Sequence, residues 1–302
     1  MSKKVLITGS TGMIGKQLKS LLLEQGYSIH ELSRRKLERE DTYQWDISDG
    51  FIEPGALDGV TSLVHLAGAG VADERWTEKR KKELFDSRID STRLLYDQLK
   101  NNPDHTIKTF ICASAIGYYG FDRGDELVNE ESSPGKDFLA KITREWEVEA
   151  RKFEELGIRV VSIRIGIVLS RDGGALAEII KPVQWMAGAA LGSGKQYMSW
   201  IHIKDIVGII AYALNTESIS GVYNGVAPQP ETNKQLTKTL ASVMKKPFFL
   251  PPVPSFVLKL ALGEMSVLVL GGLKVSSQKI ISEGYSFMYS ELQPALKDLM
   301  DK

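Results

Sequence analysis

The chain has 302 residues, 43% of them hydrophobic, which is enough for one large α/β domain or a large domain with a smaller partner. Its 38 basic and 38 acidic residues cancel, so no global field favours nucleic acid or anionic lipid. The single cysteine, Cys112, excludes an internal disulfide and fits a reducing, cytoplasmic setting. These totals predict a globular protein with no nucleic-acid and no membrane partner.

No targeting or membrane-spanning signal is expected. The N-terminus passes from Met1 directly into a strand-like run, with no room for a secretory signal. The most apolar late segment runs from Phe256 to Leu273, and it is interrupted by Lys259, Glu264 and two late glycines. It falls short of the roughly 20 apolar residues that a membrane span needs. This pattern favours a helix that is buried or faces another subunit over an element lying on a membrane surface.

Strand-like and helix-like segments alternate through residues 1–170. Apolar runs centre near Val5, Ile29, Leu63, Phe110 and Val161, and helical patterns run from about Met13 to Gln25, Thr77 to Lys100 and Lys136 to Leu156. This order predicts an α/β fold, a Rossmann-type doubly wound parallel sheet with helices on both faces. Residues 171–302, where the pattern loosens, are expected to form a smaller mixed C-terminal lobe with a helical extension. This lobe would be interleaved with the first domain and cover the carboxyl edge of its sheet.

A glycine-rich loop follows the first strand-like run. In VLITGSTGMIG, Gly9, Gly12 and Gly15 lie between an apolar strand and a helical pattern. The first glycine permits the turn, the second lets the backbone approach a pyrophosphate, and the third allows close helix packing. Backbone donors or wall atoms are expected from Thr11, Met13 and Ile14. The loop therefore predicts dinucleotide binding, and glycines that only tighten a turn are the alternative.

The end of the second strand indicates which dinucleotide would bind. A site that prefers NAD places an acid there to hold the ribose 2′-hydroxyl, whereas this chain has Ser33, Arg34 and Arg35. A hydroxyl and guanidinium donors suit a 2′-phosphate. We therefore predict NADP as the cofactor, with a solvated basic turn as the alternative. Glu31, two residues inside the strand, is expected to point elsewhere.

Further motifs follow the glycine loop in a characteristic order. They are LVHLAG, SRIDSTRLL and ICASAIGYYG. With the glycine spacing, they resemble the extended short-chain dehydrogenase/reductase superfamily, of the NAD(P)-dependent epimerase/dehydratase type, over residues 1 to about 215. Later segments such as IRIGIVLSRDGGAL and LGSGKQYMSWIHIKDI extend the likeness nearly end to end. They resemble the nucleoside-diphosphate-sugar-epimerase-like subgroup sometimes labelled SulA-type, including its C-terminal extension.

This resemblance implies cofactor contacts beyond the glycine loop. The positions are Ser33, Arg34, Asp46, His65, Leu66, Lys82, Ser87 and the backbone near Ile167. In the superfamily, the acid at the position of Asp46 contacts the adenine. For Ser87 and Asp46 the alternative is capping of a helix, and for Lys82, in the charged run EKRKKE, it is a solvated helix face.

The sequence departs from the superfamily at the catalytic dyad. There, a tyrosine four residues before a lysine transfers a proton, and a serine, here Ser114, orients the substrate oxygen. Counting forward from Ser114 and back from Glu147 places this dyad at Leu139 and Thr143. Tyr118, which follows the fifth strand, is the candidate substitute, with packing in the wall of the site as the alternative.

The remaining polar signals are weaker. The four histidines are scattered without metal-ligand spacing, so no metal site is expected. His202 and Asp205 are interpreted as a hydrogen-bonded structural pair. Lys195, in GSGKQ, either reaches an anionic substrate or lies on an exposed turn.

Two functions are compatible with these residues. The first is an NADP(H)-dependent, epimerase-like oxidoreductase acting on an unknown small hydroxyl or carbonyl compound, with Ser114 and Tyr118 as catalytic candidates. The second is an NADP(H)-binding regulatory or sensor protein without turnover, which the missing dyad favours. A small-molecule substrate is the expected partner, and a homodimer through two long helices is the habit of the superfamily.

Overall fold

The computed structural model of the chain describes residues 3–301. Its strands, numbered in chain order, are β1 (Lys4–Thr8), β2 (Ser28–Ser33), β3 (Thr42–Asp46), β4 (Phe51–Ile52), β5 (Ser62–His65), β6 (Thr109–Ala115), β7 (Asp122–Val128), β8 (Arg159–Ile165), β9 (Ile167–Leu169), β10 (Tyr197–Met198), β11 (Trp200–His202), β12 (Gly221–Gly225), β13 (Glu231–Thr232) and β14 (Gly272–Val275). Its α-helices are α1 (Met13–Glu24), α2 (Glu78–Lys100), α3 (Phe138–Arg151), α4 (Gly174–Gln184), α5 (Ile203–Asn215), α6 (Asn233–Val243), α7 (Ser255–Leu262), α8 (Val267–Leu270), α9 (Gln278–Ser282) and α10 (Leu292–Met300).

An eight-stranded sheet forms the centre, in the order β12-β8-β6-β5-β1-β2-β3-β4. Its neighbouring strands are parallel except β3 and β4 at one edge. β1 pairs with β2 on one side and with β5 on the other, so the strand order reverses beside β1. The predicted Rossmann-type sheet is confirmed. Sheets of this kind bind ligands at the carboxyl ends of the strands flanking that reversal.

The predicted N-terminal helices form where the sequence places them. α1 and α2 begin and end within one residue of the predicted bounds, and α3 tightens into a 3₁₀ helix over residues 152–156. Side chains cap the N-termini of two of these helices. Thr77 accepts a hydrogen bond from Arg80 N at the start of α2, and Asp137 accepts one from Ala140 N at the start of α3. These caps satisfy helix N–H groups that would otherwise have no partner.

Both faces of the sheet are buried, because successive strand residues point to opposite sides. Val5 and Ile7 of β1 belong to one apolar cluster, together with side chains of α1 and α5. Leu6, between them, belongs to a second cluster with side chains of α2 and α3. Near-continuous apolar strands are therefore the sequence signature of this two-sided core.

The second half of the chain returns to the sheet and also covers it. β12 extends the main sheet beside β8, while β9 pairs with β11 and β10 with β13. β14, in the C-terminal extension, pairs in parallel with β7. The sequence prediction of helices throughout this extension missed β14. Its partner lies about 150 residues earlier, and no local pattern announces such a pairing.

The apolar segment from Phe256 to Leu273 is not one buried helix. It forms α7, a 3₁₀ turn over residues 263–266, α8 and most of β14. Phe256 and Leu260 of α7 are 72% and 82% exposed. α7 is therefore not buried by this chain, and contact with another subunit, the other expectation, stays a prediction. Within residues 3–301, no helix combines the length and the apolar character needed to cross a bilayer.

Candidate cofactor and catalytic site

The three glycines form a tight turn between β1 and α1. Gly9 has φ +70°, and a Cβ there would lie 2.8 Å from the carbonyl carbon of Leu66, at the end of β5. A Cβ on Gly15 would lie 2.2 Å from the carbonyl oxygen of Gly9. Gly12 is exposed, and its N–H donates to that same oxygen at 3.0 Å. The packing of the turn thus requires the first and third glycines, while the second leaves the backbone open.

The N-terminus of α1 is suited to an anion. Gly12 is its N-cap residue, no side chain caps it, and no acidic residue lies in its first turn. Thr11 is exposed, while Met13 and Ile14 are half-buried against the core. The first N–H groups of the helix and its dipole therefore face the open side of the glycine turn, which is an anion-binding geometry.

The end of β2 presents basic side chains. Ser33 is the last residue of β2, and its Oγ accepts a hydrogen bond from Arg35 N at 3.1 Å. Arg34 and Arg35 are exposed. Glu31 is ion-paired with Lys19 of α1, and its side chain is only 13% exposed. The Glu31 side chain is thus paired with α1. It does not occupy the C-terminal end of β2, where Ser33 and Arg34 lie.

Asp46 lies at the end of β3 and organises the turn that follows. Its Oδ1 accepts hydrogen bonds from Ser48 N at 2.9 Å, Ser48 Oγ at 2.6 Å and Asp49 N at 3.2 Å. These bonds lower the pKa of Asp46. None of them uses Oδ2, so capping of this turn and a contact with an adenine are compatible.

His65, at the end of β5, connects β1 to α2. Its Nδ1 lies 2.7 Å from Thr8 Oγ1 and its Nε2 lies 3.1 Å from Ser91 Oγ. The same Thr8 oxygen accepts bonds from the N–H groups of Leu66 and Ala67, both at 3.2 Å. The His65 side chain is fully buried. It therefore fixes the loop after β5, and the backbone of Leu66 lies beside the glycine turn.

Two arginines of α2 donate hydrogen bonds to the backbone of the loop after β5. Arg88 donates to the carbonyl oxygen of Ala69 at 2.9 Å, and Arg80 donates to that of Gly70 at 2.7 Å. Ser87 Oγ accepts from Ala69 N at 3.1 Å. Burial, with a smaller contribution from the charge of Arg80, lowers the pKa of Arg88 to about 10. Ser87 and Arg88 thus shape the loop beside the crevice.

Burial dominates the electrostatics of His65 as well. Loss of solvation, together with the positive charge of Arg88, lowers the pKa of His65 to about 3. The ring is therefore neutral at physiological pH. A neutral ring donates from one nitrogen and accepts at the other, which matches its two hydroxyl neighbours.

Lys82 lies on the outer surface of α2. Its side chain is 76% exposed and forms an ion pair with Asp86, four residues later. Lys82 takes no part in the hydrogen bonds described above that fix the loop after β5. The solvated-face alternative is what the geometry supports for this residue.

Ser114, at the end of β6, belongs to a buried hydrogen-bond network. Its Oγ donates to Glu147 Oε1 at 2.5 Å, and Arg164 donates to both oxygens of Glu147 at 2.8 Å. Arg164 also donates to Tyr119 Oη at 3.0 Å, and Tyr119 donates to Asn224 Oδ1 at 2.7 Å. All five residues are buried. The network therefore joins β6, α3, β8 and β12.

The charges of this network shift two pKa values. Burial raises the pKa of Tyr119 to about 12, despite the neighbouring Arg164. Burial by itself would lower the pKa of Arg164, but the hydrogen bonds and charge of Glu147 raise it above its ordinary value. Arg164 is therefore charged, and Tyr119 is neutral.

Tyr118 lies on a 3₁₀ turn over residues 116–119, directly after β6. The guanidinium carbon of Arg164 is 3.4 Å from the centre of its ring, and the side chain is half-buried. Leu139 and Thr143 of α3 face this turn, since a Cβ on Gly117 would lie 3.4 Å from Leu139 Cβ and 3.8 Å from Thr143 Oγ1. The positions counted for the dyad and its candidate substitute are thus neighbours.

The start of β9 and the start of α4 complete the edge of the site. Ile167 pairs with Trp200 of β11, and its N–H donates to Ser199 O at 2.9 Å. A Cβ on Gly174 would lie 3.5 Å from Met13 Cε. The N-terminus of α4 therefore packs against the glycine turn.

His202 and Asp205 have structural contacts at the start of α5. His202 Nδ1 accepts from Lys204 N at 3.1 Å. Asp205 accepts from the N–H groups of Met288 at 2.7 Å and Tyr289 at 2.9 Å. Both side chains stabilise the backbone, as interpreted, but through different partners. Together they attach the C-terminal segment to α5.

The GSGKQ loop packs under the C-terminal extension. The N–H of Gly192 donates to Val253 O at 2.8 Å, and a Cβ on Gly192 would lie 2.7 Å from Leu270 Cδ2. Lys195 itself is exposed. No cluster of three or more His, Cys, Asp or Glu side chains suited to a metal ion occurs among the residues that the structure describes.

Sequence reasoning did not single out the side chains that organise the site. They are Arg88, Arg164 and Asn224. One signal was available: Arg164 interrupts the apolar run RVVSIRI, and a charge in a strand buried on both faces needs a buried partner. The other two lie in segments whose composition is ordinary.

Comparison with known proteins identifies the family. Residues 5–224 match the NAD dependent epimerase/dehydratase family. The chain belongs to this family. Residues 253–299 match a domain of unknown function, DUF1731, which corresponds to the C-terminal extension.

Similar proteins match nearly the whole chain. Epimerase family protein YfhF of Bacillus subtilis is 38% identical over 300 residues, which cover 98% of this chain and 97% of that protein. The chloroplastic epimerase family protein SDR39U1 homolog of Arabidopsis thaliana is 40% identical over 304 residues, covering 98% of this chain and 86% of that protein. The crystal structure of human epimerase family protein SDR39U1 (isoform 2) with NADPH superposes with a TM-score of 0.90 at 31% identity, covering 99% of both chains.

Proposed function

We propose that this protein binds NADP(H) at the carboxyl ends of β1, β2 and β5 and works as an epimerase-like oxidoreductase on a small hydroxyl or carbonyl compound. The observation that carries the proposal is the glycine turn before α1. A side chain at Gly9 would collide with the backbone of Leu66 and one at Gly15 with the backbone of Gly9, and no side chain caps the helix that follows. The NADPH in the human relative supports the choice of nucleotide.

Each part of the nucleotide has a matching group. The backbone from Gly9 to Gly15 would hold the pyrophosphate, and Ser33 and Arg34 would bind the 2′-phosphate. Asp46 would contact the adenine through Oδ2. The loop after β5, held by His65 and the arginines of α2, would border the nicotinamide ribose. Lys82 is omitted, because its charge is already paired on the surface of α2.

For the chemical step, we assign proton transfer to Tyr118. When bound, NADPH supplies a hydride to a carbonyl carbon, and its oxidised form accepts one from an alcohol carbon. The Arg164 guanidinium lies against the Tyr118 ring, and this cation–π contact fixes the ring on the turn directly after β6. The Ser114 hydroxyl donates its hydrogen bond to Glu147, so the same oxygen can accept a hydrogen bond from a substrate hydroxyl.

A specific observation favours a second candidate, an NADP(H)-binding sensor without turnover. Ser114 is engaged with a carboxylate, and an alkyl side chain and a threonine, Leu139 and Thr143, occupy the positions counted for the dyad. Such a protein would keep the nucleotide site and lose the proton-transfer step. The homodimer and the cytoplasmic location stay predictions from the sequence.

The experiment is a nucleotide titration followed by a turnover assay. NADPH fluorescence measures binding to the full chain, and NADPH consumption is then followed with aldehydes, ketones and sugar nucleotides. Binding with consumption supports the oxidoreductase, binding without consumption across the panel supports the sensor, and absence of binding contradicts both.

A pair of variants tests the assignment of Tyr118. Tyr118→Phe should keep NADPH binding and lower turnover by about 100-fold, the usual contribution of an acid–base group. The matched control is Tyr96→Phe, since Tyr96 also precedes a lysine by four residues but donates to Glu155, in the 3₁₀ helix after α3. Equal turnover of the two variants would remove Tyr118 from the mechanism.

A further inference from the structure

α7, in the C-terminal extension, is apolar on both sides. Leu258 and Leu262 are half-buried toward the protein. Phe256, Val257 and Leu260 are 72%, 40% and 82% exposed. With 3.6 residues per turn, the three exposed side chains fall within about 100° of the helix circumference. A helix that is hydrophobic all round is normally covered, and this chain covers only one side.

More exposed apolar side chains lie on the segments attached to α7. Phe249 is 71% exposed, and Trp185 and Met186, after α4, are 80% and 56% exposed. Val253 N donates to Ala190 O at 2.8 Å, so the backbones that follow Met186 and precede α7 run side by side. We define the C-terminal apolar face as Trp185, Met186, Phe249, Phe256, Val257 and Leu260. It holds six of the eleven large apolar side chains that are exposed within residues 3–301.

The segments that carry this face are basic, although the chain as a whole is neutral. Residues 179–204 and 232–263 contain no aspartate or glutamate and eight lysines: Lys181, Lys195, Lys204, Lys234, Lys238, Lys245, Lys246 and Lys259. Lys181 and Lys204 pair with acids outside these segments. The other six form no ion pair within the described part of the chain. Lys259 lies on α7 itself, about 60° from Phe256 around the helix.

The helix is also anchored firmly to the protein. Arg75 donates to Ala261 O at 2.5 Å, and Lys81 pairs with Glu264 at 2.7 Å. Lys81 also pairs with Glu78 at 3.1 Å, so its charge is shared between two acids. The exposed side chains of α7 are therefore presented by a helix that is fixed to the start of α2.

We propose that the C-terminal apolar face docks on an anionic lipid surface. Exposed aromatic and aliphatic side chains flanked by lysines suit the headgroup boundary, where apolar burial and attraction to anionic lipid add together. A second copy of this chain fits less well. A two-fold contact would set the same patch against itself and bring the lysines together without acids to pair with them. The proposal concerns the surface of the extension and does not depend on the cofactor site.

Vesicle flotation of the full-length protein tests the proposal. Vesicles of phosphatidylcholine with about 30 mol% phosphatidylglycerol should carry the protein, and vesicles of phosphatidylcholine alone should carry far less. Phe256→Ser with Leu260→Ser should weaken binding by about tenfold or more. Both side chains are exposed, so the fold should be kept, and circular dichroism checks this. The matched control is Leu127→Ser with Val148→Ser, which removes two exposed apolar side chains elsewhere.

A second variant tests the charge. Lys245→Gln with Lys259→Gln should weaken binding to the anionic vesicles by about 30-fold, since each lysine near the surface contributes roughly 1 kcal/mol. Three results would overturn the proposal: equal flotation with both kinds of vesicle, no flotation with either, or equal losses in the serine variant and its control. A concentration-dependent dimer in sedimentation that the serine variant abolishes would assign the face to a second copy instead.

Discussion

Two regions at the carboxyl edge of the sheet are organised by different interactions. At the nucleotide end, the backbone of Gly9 to Gly15 and the start of α1 form the site within a few residues of sequence. At the end with the candidate catalytic residues, Ser114, Glu147 and Arg164 come from β6, α3 and β8 and meet through charged hydrogen bonds. The first region is fixed by the absence of side chains, and the second by a buried network of them.

The two regions are therefore sensitive to different kinds of substitution. The glycine turn tolerates almost no added volume, but its polar groups face the open crevice. The side chains of the network can be buried only because their polar atoms have hydrogen-bond partners. A buried charge that loses its partner lowers the stability of the fold strongly.

Glu147→Gln should be the most damaging change in the network. It leaves the buried Arg164 guanidinium without its carboxylate, which costs about 3–5 kcal/mol when a buried pair is broken. Urea unfolding measures the loss. The control is Glu145→Gln, whose carboxylate pairs with Arg144 at the surface, where a pair is worth about 0–1 kcal/mol. Similar midpoints for the two variants would show that the network does not stabilise the fold.

Gly15→Ala should damage the nucleotide end through the backbone. The added Cβ would lie 2.2 Å from Gly9 O, so α1 must shift, and the free energy of unfolding should fall by about 1–3 kcal/mol. NADPH affinity should fall with it. In Gly12→Ala the Cβ would lie 3.3 Å from the same oxygen. This variant should therefore bind NADPH more weakly, but its free energy of unfolding should fall much less than that of Gly15→Ala. If both variants were equally stable, the proposed difference between the two glycines would be wrong.

His65 should make stability depend on pH. Its folded pKa of about 3 lies below the unfolded value near 6.5, so the unfolded chain binds the extra proton. The contribution is fully present above about pH 6.5 and is lost as the pH falls toward 3, at up to about 1.4 kcal/mol per unit. Between pH 7 and 5, wild type should lose about 2 kcal/mol more than His65→Gln. Parallel stability curves would contradict a buried, neutral ring.

Arg34→Ala should have the smallest effect, confined to one nucleotide. Loss of a charged hydrogen bond to the 2′-phosphate should weaken NADPH binding by about tenfold, with NADH binding unchanged. Arg39→Ala, another exposed arginine of the same loop, is the control. Fluorescence titration with both nucleotides measures the ratio. An equal change for NADPH and NADH would mean that Arg34 does not read the 2′-phosphate.

The sequence predicted most of the parallel sheet and the first helices, because apolar strands and glycine stops are local signals. It placed the glycine turn and the basic end of β2 in the right elements for the same reason. It did not find β14, whose partner β7 is remote. It named Lys82 as a cofactor residue with a solvated helix face as the alternative, and the structure pairs Lys82 with Asp86 one turn away. It expected the apolar segment that holds α7 to be buried or to face another subunit, because a pattern of apolar residues cannot tell what covers them.

By itself, the sequence determined the family motifs, the glycine turn and the serines, arginines and tyrosines available for chemistry. The tertiary structure decided how they are used: it engaged Ser114 with Glu147, set Arg164 against Tyr118, and left the outer side of α7 open. The physical reason is range. A turn depends on neighbouring backbone, whereas a buried charge depends on which distant side chain folding brings within hydrogen-bond reach.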